Sequence, residues 1–370
     1  MKPHRTKLGL VAATGVLALT LAACGSDNPT ATPSADAEPG TTDDATSLSG
    51  TLVGAGASSQ ESAMQAWIAG FQAEHPDVTV SYDPVGSGGG RTQFTEGGTD
   101  FGGTDAALDE EEWALAEERC APGVPAEIPL YISPIAVAFN LPGIDSLNMS
   151  AETIARVFDG DITSWDDPAI AEANPDVDLP ALPIIPVNRS DESGTTENFV
   201  EYLAAAAGDA WPHEVSGDWP RSGTQSAQGN SGVVQTVNGA EGGITYADAS
   251  KVGGLGTVAV QVGDEFVPYS PEAAAAVVDA SPLAEGRGEA SLVRELERDT
   301  TASGVYPIVL ISYSLACTAY EDAATAELVQ AFLTYVASEA GQQAAADAAG
   351  SAPISDEMRA NVMAIVDQIA

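Results

Sequence analysis

The sequence predicts an α/β fold with room for two lobes, on three observations. Strand-like runs alternate with amphipathic helical runs, glycine-rich turns fall at their junctions, and the 370-residue chain is long enough for two cores. Turns of this kind cluster along one edge of the sheet. No segment repeats at a fixed period, which disfavours solenoids and propellers.

The N-terminus carries Lys2, Arg5 and Lys7 before an apolar run from Leu8 to Ala23 that is too short to span a bilayer comfortably. It ends at Leu21-Ala22-Ala23-Cys24-Gly25, which looks like a lipobox, so residues 1–23 are expected to be a lipoprotein signal peptide and Cys24 the lipidated first residue. Gly25 to Ser47 has no aromatic or large aliphatic side chain and cannot bury enough apolar surface to offset its ordering entropy. Residues 24–47 are therefore expected to be a disordered tether.

Leu48 to Gly56 reads as a strand, Ser58 to Glu74 as a helix with Met64, Trp67, Ile68 and Phe71 on one face, and Val78 to Tyr82 as a strand. Gly86 to Gly90 and Asp100 to Asp105 read as turns, followed by a helix near Leu108 to Arg119. Strands follow near Ile135 to Asn140 and Ile184 to Asn188, helices at Ser150 to Phe158 and Ser193 to Ala207. Pro307 to Tyr313 reads as a buried strand and Ala323 to Ala349 as one or two alanine-rich helices. Trp67, Trp113, Trp165 and Trp219 read as packing groups rather than sugar platforms.

The formal net charge is −41, and loss of the basic leader makes it more negative still. Nucleic acid is thereby excluded as a partner, and an anionic ligand must be held by short-range hydrogen bonds against a hostile field. Beyond Cys24 there remain Cys120 and Cys317, which an exported location would allow to pair and which could equally stay free thiols. Two distant thiols with His75 and His213 do not make a metal site.

Four loops set glycine beside polar side chains: Gly54 to Ser58, Gly86 to Gly90, Gly102 to Asp105, and Arg189 to Thr196. Glycine lets amides approach a ligand, and a helix N-terminus adds unpaired N–H donors and a positive partial charge, the makings of an oxyanion receptor. Arg189 would add a planar fork of donors that Asp191 could hold in place. Taken singly each loop is weak, since a glycine run can be a linker and Ser193 can be no more than an N-cap. No Gly-Lys-Ser/Thr closes any of these turns, so a nucleotide P-loop is excluded.

In their joint order these motifs, with Ile162 to Pro168, Gly229 to Val233, Gly242 to Tyr246 and Tyr306 to Ile308, resemble the phosphate-binding proteins of the Pst ABC transporter over about Ser49 to Ser355. The resemblance implies a two-lobed periplasmic-binding-protein-like fold with a hinge and a ligand cleft. Lobe one would comprise residues 48–134 and 305–370, and lobe two residues 135–304. It implies that Ser58, Ser87, Asp105, Arg189, Ser193, Gly194 and Thr195 contact inorganic phosphate, with Asp191 and Ser59 in support. It further implies a Cys120–Cys317 disulfide in lobe one, no cofactor, a monomer tethered by lipid to the outer face of the cell membrane, and ABC permease subunits as partners. The chain departs from the family at Ser59, where an aromatic residue is usual.

Two rivals are weighed against this. Another tetrahedral oxyanion, sulfate or molybdate, fits the donor loops but not Asp105, whose carboxylate can accept a proton that only hydrogen phosphate offers; alternatively Asp105 merely caps the next helix. An exported hydrolase using Ser193 or Ser58, or a phosphatase, would need a base or metal ligands, and neither His75 nor His213 lies in a recognisable catalytic turn.

Overall fold

The computed structural model describes residues 48–370. The expected signal peptide, Cys24 and the tether lie outside the described residues. In chain order the strands are β1 (Gly50–Gly56), β2 (Val78–Asp83), β3 (Phe101–Thr104), β4 (Pro125–Phe139), β5 (Ser146–Met149), β6 (Ile185–Arg189), β7 (Gln225–Ala227), β8 (Gly243–Asp248), β9 (Gly256–Val262), β10 (Glu265–Val267) and β11 (Val309–Cys317). The helices are α1 (Glu61–Glu74), α2 (Ser87–Thr95), α3 (Glu110–Cys120), α4 (Ala151–Asp159), α5 (Pro168–Ala171), α6 (Gly194–Ala206), α7 (Gly229–Asn238), α8 (Pro271–Ala280), α9 (Ala323–Ala337), α10 (Glu339–Ala349) and α11 (Asp356–Val366).

The strands form one hydrogen-bonded path, β2-β1-β3-β11-β4-β8-β6-β7, with β9 also pairing β4, β5 and β10. β1 runs parallel to β2 and β3, while β11 runs antiparallel to β3 and β4. β4 has a different main partner in each half. Its Pro125 to Pro134 stretch pairs with β11, and Ile135 to Phe139 pairs with β8. All of β4 is buried, and sequence reading finds only its second half. Proline lacks the amide donor of a regular ladder, which obscures the first half. Pro129 sits where the register of β11 shifts between Ser312 and Tyr313, the kind of irregularity that tolerates proline.

Helices pack on both sides of these strands. Trp67 on α1 is fully buried and donates from its indole to the Gly341 carbonyl at 2.7 Å, fastening α1 to α10. Trp165 is likewise buried, its indole on the Gly242 carbonyl at 3.1 Å, while Trp113 and Trp219 are half-buried packing groups. Full burial of a large apolar side chain contributes about 1.5–3 kcal/mol, so these anchors fix the helices that carry the cleft loops. A disulfide joins Cys120 at the end of α3 to Cys317 at the end of β11.

Two elements differ from the sequence expectation. Gly86 to Gly90 is no free turn, because α2 starts at Ser87 and runs through the glycines. Phe101 to Thr104 is the short strand β3, in which Gly103 faces neighbours too close for a side chain: a Cβ there would lie 2.4 Å from the Tyr82 hydroxyl. The alanine-rich C-terminal run is two helices, α9 and α10, separated at Ser338, which caps the second.

Candidate anion-binding site

The cleft is built where the chain leaves four strands and enters four helices. The loops after β1, β2, β6 and β7 deliver Ser58 and Ser59 to the start of α1, Ser87 to the start of α2, Ser193 to Thr195 to the start of α6, and Gly229 and Asn230 to the start of α7. First-turn amides have no partner within their own helix, and each N-terminus carries a partial positive charge. Asp105 follows β3 directly.

Glycine is required where these loops meet. Gly86, the N-cap of α2, has φ of +106°, and a Cβ there would lie 2.6 Å from the Asp191 carboxylate. A Cβ on Gly194 would come within 2.6 Å of Asp105 Cβ and 2.7 Å of Ser87 Oγ. Only bare backbone lets the start of α6 lie against the loops of the other lobe.

Asp105 is the hub. Its Oδ1 accepts from the Ser59 hydroxyl at 2.6 Å, its Oδ2 from the Thr195 hydroxyl at 3.1 Å, and its own amide donates to Ser87 Oγ at 3.1 Å. It is not the cap of the following helix, because Asp109 fills that place in a capping box with Glu112. Burial pushes the Asp105 carboxyl above the ordinary carboxylate range, while the hydroxyl bonds and the Arg189 charge pull it back.

Arg189 is 2% exposed and is gripped by Asp191, with Nε to Oδ1 at 2.9 Å and Nη2 to Oδ2 at 2.5 Å. Asp191 Oδ1 also accepts from the Gly229 amide at 3.1 Å, tying α7 to the same cluster. Among the described residues, the Arg189 Nη1 group is buried without a hydrogen-bond partner. An orphaned guanidinium donor is costly unless something binds there. The neighbouring cation Arg91 is different: Glu112, Thr104 and Glu192 occupy its Nε, Nη1 and Nη2 groups.

The structure thus brings Ser58, Ser59, Ser87, Asp105, Arg189, Asp191, Ser193, Gly194 and Thr195 into one cluster of polar groups or its immediate frame. Ser193 does cap α6, its oxygen accepting from the Thr196 amide at 3.2 Å, which leaves the hydroxyl proton available. Sequence reasoning missed Asn230 and Asn198. Asn230 is fully buried and donates to Ser58 Oγ at 3.1 Å and to Thr195 Oγ1 at 3.2 Å. Asn198 donates to the Asp105 carbonyl at 2.7 Å and to the Gly194 carbonyl at 2.8 Å, a staple across the cleft. The Gly229-Asn230 pair opening α7 was the available signal for Asn230, whereas Asn198 sits inside a helix with nothing local to mark it. His213 donates from Nε2 to the Asp159 carboxylate at 2.7 Å, and among the described residues neither His75 nor His213 is hydrogen-bonded to Ser58 or Ser193.

Fold and site together define a two-lobed solute-binding protein, its candidate site lined by hydroxyls, helix N-termini, Arg189 and the carboxylates of Asp105 and Asp191. The model of the PBP superfamily domain matches residues 38–340. Phosphate-binding protein PstS 3 of Mycobacterium leprae is 35% identical over 98% of both chains, and phosphate-binding protein PstS of Methanocaldococcus jannaschii is 30% identical over 75% of each. Among solved structures, a periplasmic phosphate-binding protein bound with phosphate covers 85% of this chain and 93% of its own at 22% identity, with a TM-score of 0.71. The chain belongs to the PstS family of phosphate-binding proteins, within the PBP superfamily. It is a binding protein and not an enzyme.

Proposed function

We propose that this protein captures inorganic phosphate in the cleft and delivers it to the membrane subunits of an ABC permease for uptake. The observation that carries the reading is a pairing of opposites in one buried place: the unpartnered Nη1 donor of Arg189 and the acceptor carboxylate of Asp105. A ligand that satisfies both offers an acceptor to the guanidinium and a proton to the carboxylate, as an anion that still holds a proton does. Hydrogen phosphate meets that description and sulfate at neutral pH does not. The named relatives and the phosphate-bound neighbour support the same ligand.

In this reading Ser58, Ser87, Asp105, Arg189, Ser193, Gly194 and Thr195 touch phosphate, while Asp191 and Ser59 hold Arg189 and Asp105. Lobe one is residues 48–134 with 305–370 and lobe two is residues 135–304, with one qualification: the stretch around Arg287 to Leu292 leans on lobe one, Arg287 and Ser291 both donating to Glu127. Phosphate bridges the lobes and so stabilises the closed form. The protein acts as a monomer anchored through lipidated Cys24 at the extracytoplasmic face of the cell membrane.

Calorimetry of the delipidated protein against phosphate, arsenate and sulfate tests the ligand. Tight binding of the first two and none of sulfate is expected, and tight sulfate binding would overturn the proposal. For the anchor, Cys24→Ser should release the protein from washed membranes without changing phosphate affinity. Retention on the membrane would refute it.

A further inference from the structure

Asp105 is buried among groups of both signs. Arg189 at the end of β6 is the cation nearest in effect, yet its fork is turned to Asp191 and makes no hydrogen bond to Asp105. Asp248 at the end of β8 and Tyr82 on β2 add opposing influence, and Ser312 of β11 faces the carboxylate with its hydroxyl otherwise unpartnered. The Thr195 bond is the longer of the two hydroxyl bonds, at 3.1 Å, and Thr195 Oγ1 also accepts from Asn230. Ser59 makes the shorter contact. All three hydroxyls are buried away from water, and the 2.6 Å contact of Ser59 to Oδ1 falls in the range of charge-assisted O–H···O⁻ bonds.

Resting on the phosphate reading above, we propose that Ser59 is the specificity-determining partner of Asp105: its donated hydroxyl proton holds the carboxylate in the charged, accepting form, and so sets the lowest pH at which the cleft tells phosphate from sulfate. The chemistry is one-directional. A hydrogen bond to the charged form favours that form, and here it opposes the burial that raises Asp105. Once protonated, Asp105 becomes a donor, and a fully deprotonated tetrahedral anion then finds a partner where it had met repulsion. Each carboxylate oxygen has room for a second bond, so Ser59 and the ligand proton do not exclude each other. Ser59 acts through Asp105 and is a positioning residue.

The test is competition titration of inorganic phosphate against sulfate from pH 5 to pH 8 on the delipidated protein, its Ser59→Ala and Ser59→Thr variants. The pH at which phosphate preference is half lost should rise by about one unit in Ser59→Ala, a tenfold change in proton affinity, and stay with the parent in Ser59→Thr. Should the alanine variant not fold, Ser59→Gly, equally without a hydroxyl, carries the same expectation. A Ser59→Ala profile superimposable on the parent's, or a Ser59→Thr profile displaced as far as the alanine one, overturns the inference while leaving the phosphate reading intact. A parent protein that binds no phosphate overturns both.

Discussion

In the proposed function Arg189 and Asp105 divide the work of recognition, one by charge and one by proton. Removing the guanidinium would leave a buried anion facing neutral donors and the Asp105 carboxylate. Loss of one member of such a desolvated pair costs about 2–5 kcal/mol, so Arg189→Ala should weaken phosphate binding by about 30-fold or more in calorimetry. Near-parental affinity would place the site elsewhere. Asp105→Asn asks a different question, because the amide both donates and accepts. Phosphate affinity can move either way as a charge-assisted bond is lost and repulsion relieved, but the phosphate-to-sulfate preference should shrink. Competition titration at fixed ionic strength measures that ratio, and an unchanged value would assign discrimination to another group.

Elements place these residues, and the start of α6 is the tightest fit. Gly194→Ala would drive a methyl group into Asp105 and Ser87, so the cleft could shut only by displacing the loops after β2 and β3. The variant should keep its thermal stability without phosphate to within a few degrees yet bind phosphate at least tenfold more weakly; equal binding would show that the closed contact is not needed. The same contact explains what sequence could and could not reveal. The loops were legible because glycine beside Ser, Asp or Arg has a local cause, an amide brought close or a helix begun. Where tertiary contact decided, legibility failed. α2 runs through Ser87, Gly88, Gly89 and Gly90 against their poor helix propensity because nothing larger fits beside Glu192 and Gly56, and the first half of β4 hides behind Pro129 and Pro134. Asn198 and Asn230 owe their importance to tertiary partners such as the Asp105 carbonyl and Ser58 Oγ, which nothing local announces.

For the whole molecule, pH acts through a second buried carboxylate. Asp248, where β8 meets β4, accepts from the Tyr131 hydroxyl at 3.1 Å and is pushed up to about 6 by burial. The folded protein therefore keeps a proton that the unfolded chain releases between about pH 4 and pH 6, and stability falls as pH rises through that window. Asp248→Asn should accordingly gain stability relative to the parent between pH 4 and pH 7, seen as a widening difference in Tm; a constant difference would mean that Asp248 ionises normally. Asp248 sits beside β4, and that strand has a mechanical consequence. β4 runs as fully buried strand through the point where its partner changes, from β11 as far as Pro134 to β8 from Ile135, and not as a slack linker. If the proposed lobes part, the bend falls on this strand rather than on a loose connector.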